Sequence, residues 1–474
     1  MNRTVLFLAL AGGLALTALV LGLPRAGGSP QPPPPATHVA PPLPPTPPAT
    51  ASLGSLTLTG RLSHPYIPQG ASEVFATVDL TGAQVPGATR SPVNLAVVID
   101  RSGSMSGYKL SQAKQAARHL VGLLRDEDRL AIIHYGSDVK SLPSQAATPA
   151  NRERMLQFIE GIWDDGGTNI SAGLSAGRFQ LASGMEHFRV NRLILMSDGQ
   201  PTEGISDAAG LQQEVRDIRA AGITVSAIGV GTDFNEDLMQ SFAEYGAGAY
   251  GFLEDAGKLA TLFQRDLQQA STTVARNVEL SFELPDGVSL GEVLGYTAHQ
   301  AGNVVRVAMP DFSAGQVERV VVRLLVQGSA VGQAVQVTGL KLAYTDLLQN
   351  KGVESAASLS AQVTDRREEV LARQDKDATV YAARARSAQN LQKAAEAMSQ
   401  GRKDEAKGYL QDNQTLFTET AAVAGAAAVA EDQAQQKAAL DEYESAATPS
   451  AVGAAVKNSK VRALKSFGRL GTTY

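Results

Sequence analysis

The sequence of 474 residues contains no cysteine, a single tryptophan and only 5% aromatic residues. The absence of cysteine excludes disulfide bonds, thiolate metal ligands, cysteine nucleophiles and the lipid-modified cysteine of a bacterial lipoprotein. The net charge is also small, at -5, so the composition does not indicate a nucleic acid or another polyanion as a partner. A chain of this length has room for about two or three domains, each with its own core.

A long apolar run occurs at the N-terminus, over Val5 to Leu23, and Arg3 precedes it. The run is close to the roughly 20 residues that span a bilayer and is longer than the apolar part of a typical signal peptide. Because GLPRAGGS offers only a poor cleavage pattern, we expect residues 1–23 to be an uncleaved signal anchor, with a cleaved signal peptide as the alternative. The chain is therefore predicted to be exported. It would be membrane-anchored and face the periplasm or the cell exterior or, after cleavage, be secreted or periplasmic.

A proline-rich segment and two β-rich segments follow. Residues 24–52 are predicted to be an extended linker, since closely spaced prolines fix the backbone dihedral φ and remove hydrogen-bond donors. Short alternating segments separated by turn residues predict β-strands over 53–91 and again over 272–363. Each β-rich segment alone has too few strands for a sandwich, so we predict one β-sandwich built from both.

Between the two β-rich segments, strands and helices alternate over residues 92–271. Segments such as VNLAVVID and VNRLILMSDG are typical of buried strands, and apolar residues at helical spacing occur between them. This alternation predicts an α/β fold with a doubly wound, mainly parallel sheet covered by helices on both faces. The α/β domain would then be inserted into the sandwich.

The C-terminal part of the chain is rich in alanine, glutamine and charged residues. Residues 364–446 are predicted to be helical, with helices over 366–399 and 403–444 forming an antiparallel hairpin. Residues 447–474 contain several lysines and arginines and no acidic residue. We expect them to be a solvated or disordered basic tail, and a basic docking segment is the alternative.

Oxygen-bearing side chains follow the ends of the predicted parallel strands. Asp100, Ser102 and Ser104 lie in DRSGSMSG, Thr168 lies in DDGGTNI, and Asp198 follows LILMS. Because the carboxyl ends of parallel strands meet at one edge of a sheet, we expect these side chains to lie together. Oxygen donors without nitrogen or sulfur favour Mg²⁺ or Mn²⁺ over zinc, with Ca²⁺ less favoured. Such a set leaves the ion open to a carboxylate from a partner protein.

These motifs resemble a known family. DRSGSMSG, the threonine of GGTNI and MSDGQPT closely resemble the von Willebrand factor type A (VWA) domain and its metal-ion-dependent adhesion site, over residues 92–271. The resemblance implies direct or near-direct ligands, Ser102, Ser104 and Thr168, and ligands that often act through water, Asp100 and Asp198. It also implies that the last helix, about 257–271, shifts when the threonine joins the metal. The layout is more loosely similar to inter-alpha-trypsin-inhibitor-type and related bacterial proteins.

The expected function is binding. We expect a divalent cation to bind at this site and to capture an acidic side chain of a protein ligand, in adhesion or another protein–protein interaction. The alternative is a scaffold or assembly factor for an envelope complex. A metal-dependent hydrolase is less favoured, because no general base accompanies the site motif. We therefore expect neither enzymatic activity nor a nucleic-acid partner.

Other motifs are expected to be structural. GLSAG fits the G-x-S-x-G pattern of hydrolases, but it lies in a predicted helix, so Ser175 is not expected to be a nucleophile. GAGAYG follows a helix and precedes a strand, the reverse of a dinucleotide-binding loop, and is expected to be a turn. His134 and His119 are expected to be packed or surface residues. Asp164 and Asp165 are expected to be solvated loop acids, and tuning of the field at the metal is the alternative.

Overall fold

The computed structural model describes residues 48–85, 91–231, 234–253, 268–269 and 272–467. The predicted segment 1–23, most of the predicted linker and most of the helix predicted over 257–271 lie outside these ranges. Within them, no helix combines the length and apolar character that crossing a membrane requires.

The first described elements are strands, and their bounds are β1 Ala49–Leu53, β2 Leu56–Leu62, β3 Tyr66–Pro68 and β4 Gly70–Gly82. Strands β1, β2 and β4 pair antiparallel with one another. Strand β2 alternates buried and partly exposed residues along its length, as expected of a strand with one face on a core. The linker predicted over 24–52 is too long at its C-terminal end, because its last residues pair with β2 as strand β1.

The α/β domain contains a sheet whose strands are β5 Val93–Asp100, β6 Arg129–Tyr135, β7 Val139–Ala146, β8 Val190–Ser197, β9 Thr224–Val230 and β10 Ala247–Leu253. Their order in space is β10-β9-β8-β5-β6-β7, and every pair is parallel except β6 with β7. The chain passes from β5 to one side and from β8 to the other. The crevice between the carboxyl ends of β5 and β8 is therefore the switch point where α/β folds bind ligands.

Helices cover both faces of this sheet, and their bounds are α1 Tyr108–Leu123, α2 Pro149–Glu160, α3 Ile170–Ala182, α4 Ala208–Ala220 and α5 Glu236–Tyr245. Apolar residues of α1 and α2 form one core with the sheet, and those of α3, α4 and α5 form another on the opposite face. The predicted doubly wound α/β fold is confirmed. The segment GAGAYG, predicted as a turn, is mostly strand β10.

The chain returns to the sandwich with strands β11 Thr273–Glu283, β12 Val288–Leu294, β13 Ala298–Ala301, β14 Val304–Ala308, β15 Phe312–Ser313, β16 Val317–Gly328, β17 Ala334–Asp346 and β18 Lys351–Thr364. One sheet has the order β1-β2-β4-β16-β12, and the facing sheet has the order β13-β14-β11-β17-β18-β3. Strands from before and after the insertion share one buried core. Side chains of the two domains are also bonded directly, since Thr224 donates a hydrogen bond of 2.5 Å to Asp311.

The C-terminal helices are α6 Arg367–Ala372, α7 Lys376–Ser399, α8 Lys403–Ala424, α9 Ala426–Ser445 and α10 Pro449–Ser466. They confirm a helical region, but it is larger than the predicted hairpin. The helix predicted over 403–444 is broken at Gly425, where a φ of +95° ends α8 and turns the chain into α9. The helices pack against the outer face of the five-stranded sheet through Phe75 and Val321.

The prediction of a solvated or disordered basic tail over 447–474 is wrong for α10. Thr448 caps this helix by accepting a hydrogen bond from the Ala451 backbone, and proline occupies the first turn. Ala455, Ala463 and Leu464 of this helix are buried, and Leu464 is only 2% exposed because it packs into the core formed by α3, α4 and α5. The lysines of this helix differ in their surroundings: Lys465 is exposed, whereas Lys457 is buried with its ammonium 3.9 Å from the Phe234 ring centre.

Candidate metal centre

Asp100 ends strand β5 and is fully buried at the switch point. Its Oδ1 accepts a hydrogen bond from the Ser102 backbone at 2.9 Å, and its Oδ2 accepts bonds from the Ser197 hydroxyl at 2.6 Å and the Tyr135 hydroxyl at 3.3 Å. Burial raises the pKa of the Asp100 carboxyl, the bonds from the serines lower it, and the nearby Asp198 carboxylate raises it. The carboxylate is therefore held in one orientation by three donors.

Ser102 and Ser104 present their hydroxyls to each other across a short 3₁₀ turn over Gly103–Met105. The hydroxyl oxygens are 3.1 Å apart, and Ser102 is buried while Ser104 is exposed. Met105 is fully buried under the turn and anchors it to the core. The loop therefore points hydroxyl oxygens at one place at the edge of the sheet.

Thr168 comes to the same edge because backbone hydrogen bonds join its loop to the loops on either side. On one side, the Gly103 N–H donates to Gly166 O at 3.1 Å. On the other side, the Thr168 N–H donates to the Thr202 hydroxyl at 2.8 Å, and the Thr202 N–H donates back to Thr168 O at 3.0 Å. Gly166 adopts a φ of +78°, which favours glycine at this turn. Thr168 itself is 3% exposed.

Asp198 follows β8 and is 1% exposed. Its backbone oxygen accepts a 2.7 Å hydrogen bond from the Asn235 N–H, which ties the turn to the start of α5. Its Oδ2 lies 3.3 Å from the Lys109 Nζ, whereas its Oδ1 is buried and has no hydrogen-bond partner among the described residues. A buried carboxylate oxygen without a partner is costly unless a ligand or water satisfies it. This oxygen therefore makes the edge a candidate binding site.

Two basic residues were missed by the sequence analysis. Lys109, in the first turn of α1, pairs with Asp198. Arg101 is buried next to Asp100, and its guanidinium donates to the Asp165 backbone oxygen at 3.2 Å and to the Asp138 carboxylate. Arg101 therefore joins three loops at this edge. The sequence offered only their position as a clue to their role: Arg101 lies in the DRSGSMSG motif, directly after the strand, and Lys109 follows the motif at the start of the helix.

The structure also places the residues that the sequence analysis did not assign to the site. Ser175 lies inside α3 and donates a 2.7 Å hydrogen bond to Glu214. His134 is buried in β6 with its ring 5.3 Å from that of Phe158, and burial, with Arg101 and Lys140 nearby, lowers its pKa to about 4. Of the acids of the threonine loop, the mostly exposed Asp165 carboxylate lies 3.5 Å from the Arg101 guanidinium.

The donor set at this edge fits a hard divalent cation. It comprises carboxylate and hydroxyl oxygens without nitrogen or sulfur, and one of these carboxylate oxygens is buried with no hydrogen-bond partner in the part of the chain that the structure describes. Neither at this edge nor elsewhere do the described residues contain a group of three or more Asp, Glu or His side chains placed to hold a metal. A cation here would therefore depend on Ser102, Ser104 and Thr168 as much as on the two aspartates.

Comparison with known sequences agrees with the fold. The model of the von Willebrand factor type A domain matches residues 94–265. The chain is 31% identical over 211 residues to the uncharacterized protein YfbK of Escherichia coli (strain K12). This alignment covers 44% of this chain and 36% of YfbK. It is also 28% identical over 202 residues to inter-alpha-trypsin inhibitor heavy chain H2 of Homo sapiens. That alignment covers 40% of this chain and 21% of the inhibitor heavy chain. The alignments thus span about a third or less of these relatives.

A solved structure matches more of the chain. The von Willebrand factor type A protein from Catenulispora acidiphila aligns with a TM-score of 0.67 at 16% identity, over 88% of this chain and 98% of that one. At this identity the match shows the fold alone. Because it covers most of the chain, the shared architecture extends beyond the α/β domain.

Proposed function

The chain carries a von Willebrand factor type A domain, and from this premise we propose that it is a protein-interaction module that binds a divalent cation and, through it, a carboxylate of a partner protein. The cation would be Mg²⁺ or Mn²⁺, held by Ser102, Ser104, Thr168 and, directly or through water, Asp100 and Asp198. When bound, the ion would supply a positive centre that attracts an anionic ligand.

The observation that carries this proposal is the state of the Asp198 carboxylate. Its Oδ1 is buried and has no partner within the described ranges, at an edge where the hydroxyls of Ser102 and Ser104 lie 3.1 Å apart. A cation would satisfy this oxygen together with the hydroxyls. Exposure of Ser104 leaves the same edge open to solvent, so a partner side chain could reach the ion.

Binding, as opposed to catalysis, is favoured because neither carboxylate is placed as a general base. Asp100 is occupied by its three hydrogen-bond donors, and Asp198 is 1% exposed, with its Oδ2 paired with Lys109. A general base needs to reach the proton that it removes. VWA domains support protein interaction in general, and we propose the same role here.

We also propose that the module acts outside the cytoplasm. The support is the sequence of residues 1–23, whose apolar run is long enough to anchor the chain in a membrane, followed by a proline-rich spacer. Sequencing the N-terminus of the mature protein tests this: an intact first residue supports the signal anchor, and a new N-terminus near residue 24 supports secretion after cleavage.

The experiment on the metal uses the full chain and titration calorimetry with Mg²⁺. Wild-type protein is expected to bind the ion, and the double variant Ser102→Ala with Ser104→Ala to lose it. Ser106→Ala is the matched control, because this exposed serine of the same loop has no side-chain hydrogen bond within the described residues. Retained Mg²⁺ binding in the double variant, with an unchanged circular dichroism spectrum, would contradict the proposal.

A second experiment distinguishes adhesion from the scaffold alternative. The tagged chain is incubated with envelope fractions in the presence of Mg²⁺ or chelator, with the double serine variant as the control. Adhesion predicts that chelator and the variant abolish capture of a surface or matrix ligand. One stoichiometric envelope protein, captured in the same metal-dependent way, would instead favour an assembly factor.

A further inference from the structure

A cavity of about 380 Å³ lies where the α/β domain meets the sandwich. The α/β domain supplies residues 185–189, which precede strand β8, and the end of α4 at Ala221 and Gly222. The sandwich supplies Arg276 of β11 and the turn between β17 and β18. Because residues 185–189 precede β8, whereas Asp198 follows its carboxyl end, this cavity lies at the opposite edge of the sheet from the candidate metal centre.

Arg276 reaches from the sandwich toward the α/β domain. A Cβ built at Gly222 would lie 3.8 Å from Arg276 Nη1, so the guanidinium lies beside the end of α4. The Arg276 Nε is buried, and within the described residues the guanidinium has neither a hydrogen-bond partner nor an ion pair. A buried N–H of an ionised group is costly when nothing accepts its hydrogen bond. An acceptor in the cavity would remove this cost.

Arg189 reaches in the opposite direction, from the α/β domain toward the sandwich. Its Nη1 donates a hydrogen bond of 3.3 Å to Leu347 O, and no carboxylate of the described ranges pairs with it. Among the described residues that line the cavity, Glu186 is the only acid, and it is exposed and forms no ion pair with either arginine. The cavity therefore has two positive charges and one negative charge on its walls.

The helix that ends at the cavity does not need Arg276 as a cap. Three carbonyls of the last turn of α4 already accept backbone hydrogen bonds, from the N–H groups of Ala221, Gly222 and Ile223 at 3.1, 2.8 and 3.3 Å. The C-terminus of a helix carries only about half a negative charge. This partial charge is too small to compensate two guanidinium groups, so the cavity remains electropositive.

We propose that this cavity binds a phosphate group, which Arg189 holds from the α/β domain and Arg276 holds from the sandwich. The fork of N–H donors on a guanidinium matches the oxygens of phosphate, and an anion supplies the charge that the walls lack. Since a water molecule takes about 30 Å³, the cavity has room for a phosphate monoester as well as for inorganic phosphate. The bound group would join the two domains and stabilise their contact.

The test is calorimetry on the full chain with inorganic phosphate, in chelator so that no divalent ion occupies the candidate metal centre. Wild type is expected to bind phosphate, and Arg276→Gln to bind it at least about tenfold more weakly, as expected for the loss of a hydrogen bond between charged groups. Arg189→Gln should weaken binding as well. Glu186→Gln should tighten binding, because it removes a negative charge from the wall.

The matched control is Arg154→Gln. Arg154 is an exposed arginine of α2 without an ion pair in the part of the chain that the structure describes, and it does not line the cavity. This variant should bind phosphate like wild type. Thermal melting gives a second readout, since phosphate should raise the melting temperature of wild type and of Arg154→Gln but have little effect on Arg276→Gln.

Glycerol 3-phosphate distinguishes the two sources of the group. Tighter binding of this monoester than of inorganic phosphate supports an organic phosphate as the ligand, and the reverse order supports free phosphate. Acetate should bind more weakly than either, because a single carboxylate has fewer oxygens to share between two arginines. Equal affinity for acetate would overturn the assignment to a phosphate group.

The remaining outcomes are equally decisive. Wild type that shows neither heat nor a rise in melting temperature with millimolar phosphate overturns the proposal. Loss of binding in Arg154→Gln to the same extent as in Arg276→Gln also overturns it, since the attraction would then be one of overall charge. If Arg276→Gln does not fold, the exposed Arg189→Gln and Glu186→Gln replace it, and opposite shifts in their phosphate affinity are required.

Discussion

Replacing Gly173 with alanine should destabilise the α/β domain, although alanine favours helices. Gly173 lies in α3 and faces the sheet, and a Cβ at this position would lie 2.6 Å from Tyr135 Cδ1 and 3.0 Å from Tyr135 Cε1. The ring is fully buried, and its hydroxyl bonds to Asp100, so it has little freedom to move. Close packing of α3 on the sheet thus explains why the first residue of GLSAG is a glycine, without any role as a hydrolase motif.

The expected size of the effect follows from two opposing terms. Glycine to alanine inside a helix stabilises by about 1 kcal/mol, whereas overpacking a rigid core costs about 1–3 kcal/mol. We therefore expect Gly173→Ala to lower the free energy of unfolding by about 1 kcal/mol. The matched control is Gly122→Ala near the end of α1, where a Cβ would meet no atom within 4 Å. This control should stabilise the domain by up to about 1 kcal/mol.

The assay is urea unfolding followed by tryptophan fluorescence. A chain with several cores need not unfold in one step, so a signal from one domain is required. Trp163 is the only tryptophan in the sequence, and it lies in the α/β domain with the Lys140 ammonium 5.1 Å from its ring centre. If Gly173→Ala unfolds at the same urea concentration as wild type or a higher one, while Gly122→Ala is stabilised, the packing argument fails.

Three further predictions concern the contact between α10 and the α/β domain. Lys460 Nζ lies 3.3 Å from the carboxylate of the buried Glu236, so Lys460→Ala should lower the free energy of unfolding by about 2 kcal/mol. In a double-mutant cycle measured by urea unfolding, Lys460→Ala should cost much less when Glu236→Gln is already present. Burial raises the pKa of Glu236, despite the opposing effect of Lys460, so the folded state holds this proton more tightly than the unfolded state. Wild-type stability should therefore fall as the pH rises from the ordinary glutamate pKa through the higher folded-state pKa of Glu236. Over the same rise in pH, the urea midpoint of Glu236→Gln should fall less than that of wild type. Leu464→Ala should cost about 2–4 kcal/mol, because this side chain is 2% exposed in the core, and should speed tryptic cleavage within α10.

The sequence was most informative where chemistry and periodicity coincide. Apolar strands that end in Asp100 and Asp198 indicated both a parallel sheet and the edge at which its polar residues meet. The structure places Ser102, Ser104 and Thr168 at that edge, as expected. Parallel topology alone brings together residues that are far apart in sequence, so no detailed geometry was needed for this prediction. The cation itself remains a prediction.

Features that depend on tertiary contacts were not predictable. Strand β7 has weak alternation and contains Pro143, yet it is an antiparallel edge strand, where a residue without an N–H is tolerated. The positive φ of Gly425 splits one predicted helix. The split could not be predicted, because nothing in the local sequence distinguishes Gly425 from the glycines that helices tolerate. The roles of Lys109 and Arg101 depend on partners 89 and 37 residues away in the sequence.

The C-terminal helices contribute to the position of a site residue that they do not touch directly. Asp198 is held through its backbone by Asn235, whose side chain also caps α5 by accepting a 3.2 Å hydrogen bond from the Leu238 N–H. The first residue of α5, Glu236, is in turn paired with Lys460 of α10. Movement of α10 would thus change the surroundings of the α5 N-terminus and the anchor of the Asp198 turn. Because α10 also packs on the sandwich through Phe467, which lies against Gly295, the candidate metal centre is mechanically connected to all three regions of the described chain.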